Sequence, residues 1–182
     1  MPNYCDYDIR IKGSPRAVQR MVWCLRQGYS YADGKKPAHK HFFRVFECHE
    51  LDTEKNSDGT ITKHLWGNCA WSVQSCMTDS PTSYYTDVLK AHQNDFMGTC
   101  LAEQSRQCDI EVFSEETGMC FSEHYLYTKG ECIIDDTVEI AEAGYDDNGN
   151  ITENIDWDTY SGDIVILNEH RDKSTGDYKW TI

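Results

Sequence analysis

The chain has 182 residues, 39% of them hydrophobic and 12% aromatic, which is enough apolar material for one domain with its own core. Its formal net charge of −14 argues against direct binding of DNA or RNA. The sequence has no run of 18 apolar residues and begins without a basic and apolar leader, so we expect an intracellular, cytoplasmic protein with neither a membrane span nor a secretory signal.

The first part of the chain predicts a strand followed by a helix. Residues 7–12 alternate apolar and polar side chains, which is typical of a strand with one buried face. Ser14 and Pro15 then provide a helix N-cap and a first-turn proline. The helix that follows ends near Gly28 and carries four apolar side chains at helical spacing: Val18, Met21, Val22 and Leu25.

The middle of the chain predicts a strand pair and a second helix. Strands are expected at residues 42–48 and 61–71, on either side of a turn region at 52–59, with Trp66 and Trp71 in the core. The second helix is expected from about Pro81, with Ser80 as its N-cap, through Leu89.

The remainder predicts β structure. The expected strands are residues 108–113, 120–127, 132–134 and 137–141, and then a hairpin of 163–167 with 178–182 around 174–176. Glycine-containing turns are expected at 114–118 and 146–150. The order β-α-β-β-α-β followed by more β structure predicts an α+β fold with a ferredoxin-like split βαβ sheet. We expect a ferredoxin-like domain at residues 1–130 and an acidic, β-rich extension at 131–182 packed on it.

Two motifs at opposite ends of the first 130 residues resemble a family of small proteins encoded by phages, plasmids and other mobile elements. The matching positions are Met1-Pro2-Asn3-Tyr4-Cys5, residues 9–13, Trp71, residues 110–113, Glu116-Thr117-Gly118-Met119-Cys120-Phe121 and residues 125–130. The resemblance implies a ferredoxin-like fold, a mobile-element origin and action in a host bacterial cell, and it implies no activity. The chain departs from the family at Cys120, where a Gly is usual, and in the acidic region beyond residue 131.

The motifs of catalysis and metal binding are weak. His39, His41, Cys48 and His49 have no zinc-knuckle spacing. Residues 54–61 resemble the first part of a 12-residue calcium loop, but the last position of that loop would be Leu65, where a bidentate Glu is required. A hairpin turn explains residues 54–61 better. Glu123 and His124 lie on one predicted strand and point to opposite faces, so they cannot form a local catalytic dyad. We therefore expect no metal, no cofactor and no enzymatic activity.

Charge is distributed unevenly along the chain. Residues 1–100 carry 11 acidic and 12 basic residues, whereas residues 101–182 carry 20 acidic and 5 basic ones. Between Lys129 and Arg171 there is no Lys or Arg, and 12 acidic residues fall there. Such a surface is either a solvated face or a binding surface for a basic partner, and the interleaved aromatic residues favour binding. The candidate partner-binding residues are Asp135, Asp136, Glu139, Glu142, Asp146, Asp147, Glu153, Asp156, Trp157, Asp158, Tyr160 and Asp163.

These features predict a non-catalytic inhibitor whose carboxylates imitate the phosphates of a nucleic acid. The expected partner is a basic nucleic-acid-binding protein of host defence, and the guide–target channel of a CRISPR effector nuclease with its guide RNA is a large target of this kind. The protein would then resemble an anti-CRISPR protein. Two alternatives remain open: a phage-encoded protein-binding module of other purpose, and a small hydrolase.

The nine cysteines predict free thiols, because their number is odd and their spacings are scattered. Thiol titration in denaturant after non-oxidising purification should therefore count about nine reactive groups, and reductant should barely change stability. A count that reveals four disulfides would contradict this prediction.

Overall fold

The computed structural model describes residues 3–26, 41–42, 44–78, 99–119, 121–139, 144–145, 151–152, 160–161, 164–165, 169–172 and 174–182. Its helices are α1 (Pro15–Arg26), α2 (Val73–Met77) and α3 (Leu101–Gln104). Its strands are β1 (Tyr4–Gly13), β2 (Val45–Lys55), β3 (Ile61–Ala70), β4 (Cys108–Glu116), β5 (Phe121–Thr128), β6 (Glu131–Glu139), β7 (Gly144–Tyr145), β8 (Ile151–Thr152), β9 (Tyr160–Ser161) and β10 (Ile164–Val165).

Six strands form one antiparallel sheet in the order β2-β3-β1-β4-β5-β6. The predicted α+β class is therefore confirmed. β1 lies at the centre and pairs along its length with β3 and β4, while β2 and β6 form the two edges. Because β6 belongs to this sheet, the first acidic residues beyond position 130 are held by the same hydrogen-bond ladder as the core strands.

The core lies between α1 and one face of the sheet. The odd-numbered residues of β1, from Cys5 to Ile11, are buried on this face. The four apolar residues predicted for the helix, Val18, Met21, Val22 and Leu25, are buried against them, as predicted. Ser14 is the N-cap of the helix, since its Oγ accepts a hydrogen bond from the Ala17 amide at 3.3 Å.

The other face of the sheet is covered in part by residues 169–182. Tyr178 stacks on Phe113 of β4 at a ring distance of 4.6 Å, and Trp180 packs edge-on against the same ring. His64 of β3 contacts Trp180 edge-to-face, which marks the limit of the covered area. Towards β2 no described segment covers this face, and there Trp66 is 40% exposed.

Several predicted elements have different boundaries in the structure. β2 starts at Val45 and extends to Lys55, so the turn to β3 occupies residues 56–60. The two short strands expected between 132 and 141 form the single strand β6, because β5 pairs with it from Phe121 to Thr128 through one irregularity in register. The placement of Trp66 in the core was wrong, whereas Trp71 is partly buried against the core.

The end of the chain also differs from the prediction. Ile164–Val165 pairs with Tyr160–Ser161, and 178–182 forms no strand with it among the described residues. The turn expected at 174–176 is present, since Arg171 bridges Tyr178 and Gly176 has φ +74°. The helix predicted from Pro81 and the turn at 146–150 lie outside the described residues, although β7 and β8 on either side of that turn pair with each other.

The eight cysteines within the described residues are free thiols. Cys5 and Cys69 lie opposite each other in the core, where burial raises the pKa of the Cys69 thiol.

Within the described part of the chain, we find no helix whose length and apolar character suit it to span a membrane.

Gly67 allows the close approach of β2 to β3. A Cβ at this position would lie 2.0 Å from the carbonyl oxygen of Glu47 and 2.6 Å from the Tyr7 hydroxyl, which donates to that carbonyl at 2.6 Å. Gly67→Ala should therefore lower the free energy of unfolding by about 3 kcal/mol or more, measured by urea denaturation. Gly59→Ala is the control: its φ of +83° is unfavourable for Ala, but no atom lies within 4 Å. It should cost about 1–2 kcal/mol, and an equal or smaller loss for Gly67→Ala would contradict the prediction.

Candidate functional site

The acidic residues that begin the predicted binding surface lie on the edge strand β6. Glu131, Asp135 and Asp136 are exposed, and β6 pairs with β5 on one side only among the described residues. Ile133 is 54% exposed beside them. The edge therefore presents carboxylates together with one large apolar side chain.

The carboxylates of this edge project to both faces of the sheet. Asp135 lies opposite Tyr125, whose side chain is buried on the helix side, and Asp136 lies opposite His124, on the side of residues 169–182. Adjacent residues of a strand point to opposite faces, so these two aspartates cannot form a single flat row. They give the edge negative charge on both of its sides.

The structure locates part of the predicted site. Asp135 and Asp136 are neighbours on β6, and the backbones of Glu139 and Tyr160 lie in β6 and β9. The other predicted site residues lie outside the described part of the chain: Glu142, Asp146, Asp147, Glu153, Asp156, Trp157, Asp158 and Asp163.

Asp136 also has a structural contact. The Nε2 atom of His170 lies 3.1 Å from Asp136 Oδ2, and its Nδ1 lies 2.8 Å from the hydroxyl of Ser122. Burial lowers the pKa of His170, and the hydrogen bond to Asp136 offsets part of that effect. These contacts join β5 and β6 to residues 169–182, which cover this face of the sheet.

The same three side chains test the hydrolase alternative, because Ser, His and Asp are the residues of a serine hydrolase triad. In such a triad the serine faces the substrate and the aspartate is buried behind the histidine. Here Ser122 is 0% exposed and Asp136 is the exposed end. With the nucleophile at the buried end, this arrangement is suited to holding residues 169–172 on the sheet.

A buried carboxylate organises the covered face. Glu111 is fully buried and lies 2.8 Å from His124 Nε2, and it accepts hydrogen bonds from the amides of Thr181 and Ile182 at 2.7 and 2.9 Å. Burial alone raises the pKa of Glu111, but the hydrogen bonds from His124 and the two amides outweigh burial and leave the pKa below its ordinary value. His124 also stacks on Phe113 at 3.9 Å.

Glu123 is buried on the opposite face, as the alternation with His124 predicted. Its carboxylate accepts hydrogen bonds from the amides of Val73 and Gln74 and from the hydroxyl of Ser114. Burial raises its pKa, and these hydrogen bonds offset part of the increase. Glu123 therefore connects β5 to the start of α2 and is separated from His124 by the sheet.

Other candidate sites carry less chemistry. Residues 54–61 form the hairpin turn that was preferred over a calcium loop, with the Thr60 amide donating to Asp58 at 2.9 Å. Among the described residues no three His, Cys, Asp or Glu side chains are grouped to hold a metal ion. A polar cleft of about 180 Å³ between β1, β2 and β3 is lined by both basic and acidic residues, and it is smaller than the roughly 300–1,000 Å³ of typical small-molecule sites.

Sequence reasoning missed the network of Glu111, His124 and residues 178–182. Alternation placed Glu111 and Phe113 together on the face of β4 away from the core, and Tyr178 and Trp180 alternate in the same way. The alternation within each segment was the available signal, and it does not show that the two segments meet. We compared the chain with protein-family models, curated proteins and solved structures, and no match was found.

The Glu111 network generates a prediction of pH dependence. A carboxylate with a lowered folded-state pKa adds stability above its unfolded pKa, and this stability is lost as pH falls through the folded pKa. Glu111→Gln should therefore lower the free energy of unfolding by about 2 kcal/mol at pH 7, and the difference from wild type should shrink below about pH 4. Urea denaturation at both pH values measures the effect.

The exposed Glu131→Gln, on the same sheet, is the matched control and should change stability by less than about 0.5 kcal/mol. A Glu111→Gln penalty that is the same at pH 7 and at acid pH would show that the carboxylate charge is unimportant.

Proposed function

We propose that this protein is a non-catalytic inhibitor from a phage or other mobile element, and that it binds a basic nucleic-acid-handling protein through the acidic edge of its sheet. The observation that carries the proposal is the position of β6. Among the described residues it is an edge strand with Glu131, Asp135 and Asp136 exposed, and it begins a stretch of sequence without Lys or Arg up to Arg171. A merely solubilising surface usually mixes both signs.

The edge has the rigidity that phosphate mimicry requires. Hydrogen bonds to β5 hold β6 over its length, and the contact of Asp136 with His170 fixes one carboxylate further. The ladder therefore holds Glu131, Asp135 and Asp136 at fixed positions along one edge. Acids on both faces suit a channel that surrounds the edge, and Ile133 adds an apolar anchor at the bulge.

The partner class follows from charge and from the family resemblance. A single-signed acidic surface is attracted to channels that are built to hold nucleic acid backbones. A CRISPR effector nuclease loaded with guide RNA has such a channel for its heteroduplex. A mobile element gains from blocking it, and we propose this class of nuclease as the partner.

We further propose that the core is a ferredoxin-like split βαβ domain, with residues from 131 onwards as an acidic β-rich extension. The strand order β2-β3-β1-β4, with α1 between β1 and β2, supports this topology. β5 and β6 extend the sheet beyond β4 and carry the acidic edge.

Charge reversal tests the proposal. Asp136 is left unchanged because it contacts the buried His170, so its replacement would confuse folding with binding. The test variant reverses Asp135, Asp146 and Asp147 to Lys. It should weaken binding to a guide-loaded Cas9-type nuclease by about 100-fold or more, because each reversal converts attraction to repulsion. Competition with fluorescent target DNA measures binding.

The matched control reverses Glu50, Asp52 and Glu54, which lie on the opposite edge strand β2. It changes net charge by the same amount and should alter binding by less than about threefold. Wild-type binding should also weaken between about 0.05 and 0.3 M salt. Equal binding by the two triple variants, or no competition by wild type across a panel of guide-loaded effectors, would refute the proposed function.

A further inference from the structure

A second surface lies on the open part of the sheet, near the opposite edge. It comprises Tyr4 of β1, Phe46 and His49 of β2, and Trp66 of β3, and we call it the aromatic face. Tyr4 is 59% exposed, and Phe46 and Trp66 are each 40% exposed. Tyr4 and Phe46 meet edge-to-face at 5.6 Å, and His49 stacks on Trp66 at 4.7 Å. Large exposed aromatic residues that cluster in this way are typical of binding surfaces.

Carboxylates lie among these rings. Asp6 and Glu47 are both opposite Asn68 of β3, between the two aromatic pairs. Asp6 has no cationic partner among the described residues. Burial raises the pKa of Asp6, and the nearby negative charges of Glu115, Asp8 and Glu47 raise it further. Glu47 Oε2 lies 3.5 Å from His49 Nε2. The aromatic face is therefore an apolar surface with two carboxylates at its centre, and within the described part of the chain no Lys or Arg pairs with them.

Asn68 contributes an unused hydrogen-bond acceptor at the same place. Its Oδ1 is buried and receives no hydrogen bond from any of the residues that the structure describes. Buried polar atoms are normally paired, so an isolated acceptor needs an explanation. A donor brought by a binding partner would supply one.

The covered half of the sheet shows what such a surface accommodates. Arg171 lies over the ring of Tyr178 at 4.1 Å, and its Nε donates to Glu115 at 2.6 Å. Arg10 lies over Trp180 at 4.7 Å, and Arg44 lies over Trp71 at 4.4 Å. The chain thus repeatedly places a guanidinium on an aromatic ring, and on the covered face it does so beside a carboxylate. The aromatic face has rings and carboxylates, and among the described residues no arginine stacks on Tyr4, Phe46 or Trp66.

We propose that the aromatic face binds an arginine-rich segment of a partner protein. A guanidinium can stack on Trp66 or Tyr4 while its N–H groups fork onto the carboxylates of Asp6 and Glu47. Arginine fits better than lysine, because a planar guanidinium stacks on rings and is less strongly hydrated than an ammonium. A purely apolar partner would bury these carboxylates without compensation, and a nucleic acid would be repelled by them. This surface lies at the β2 edge and operates independently of the β6 edge.

Peptide binding tests this inference. The probe is a fluorescein-labelled nine-residue peptide of alternating Arg and Gly, compared with its Lys counterpart, and anisotropy is read at 0.15 M salt with the full chain. The Arg peptide should bind saturably and at least about fivefold more tightly than the Lys peptide. Asp6→Asn with Glu47→Gln should weaken Arg-peptide binding by about tenfold or more, and so should Tyr4→Ser with Trp66→Ala.

The control is Glu131→Gln with Asp135→Asn on β6, which removes the same number of charges from the other edge. It should change peptide affinity by less than about twofold, which separates this site from general attraction to an acidic protein. Circular dichroism checks folding. If the aromatic variant unfolds, the variant Asp6→Asn with Glu47→Gln decides the test. That variant should stay folded, because it relieves the repulsion between neighbouring negative charges.

Three results would overturn the inference: equal loss in the two charge variants, equal affinity for the Arg and Lys peptides, or no saturation by wild type at about 100 µM peptide. A concentration-dependent dimer that the Trp66 variant abolishes would instead assign the surface to a second copy of the chain, and would equally overturn it. The proposed function is judged separately, by measuring nuclease inhibition with the aromatic variant, in which the β6 edge is unchanged. Inhibition that persists shows that the proposed function stands even where the peptide experiment fails.

Discussion

The structure depends on the two-sided character of its central strand, β1. Its odd-numbered residues from Cys5 to Ile11 are buried under α1, so its even-numbered residues must project from the other face. After Tyr4 these are Asp6, Asp8, Arg10 and Lys12, all of them charged. A strand with neighbours on both sides cannot hide one face except under another layer, and the second layer of this protein is therefore built around charge.

Residues 169–182 provide that layer over the centre of the sheet, and they do so with polar contacts as well as aromatic packing. Glu111 accepts hydrogen bonds from two backbone amides of the segment, Arg171 pairs with Glu115, and Arg10 lies over Trp180. His170 connects the segment to Asp136 on β6. These contacts lie mainly on β1, β4, β5 and β6, and on β3 they reach as far as His64. Among the described residues the segment therefore leaves the area around Trp66 uncovered, and the aromatic face is that area.

The sequence predicted those elements in which a regular pattern of apolar residues faces the core. α1 and β4 have clear helical and alternating patterns with strongly apolar core positions, and both begin where expected, although β4 continues to Glu116 into the expected turn. β6 was divided in two because Asp135 and Asp136 interrupt the apolar pattern, but an edge strand needs little apolar content and is held by β5. Trp66 was misplaced because alternation shows that a strand has two faces without showing which of them another segment covers. The Glu111 network joins residues 70 positions apart, and no local pattern reports such a pairing.

The acidic residues of the two edges require different explanations. Exposed edge strands invite pairing with another sheet, and charged side chains oppose it. On β2 the charges are mixed, because Glu50 is paired with Lys63 and Lys55 ends the strand. By contrast, β6 and the sequence from it up to Arg171 contain Glu131, Asp135, Asp136 and Glu139 but no Lys or Arg. Protection of an edge needs a few charges of either sign, whereas attraction of a basic channel needs a field of one sign. The single sign of β6 and the sequence that follows it is therefore the property that edge protection leaves unexplained and that binding of a basic partner requires.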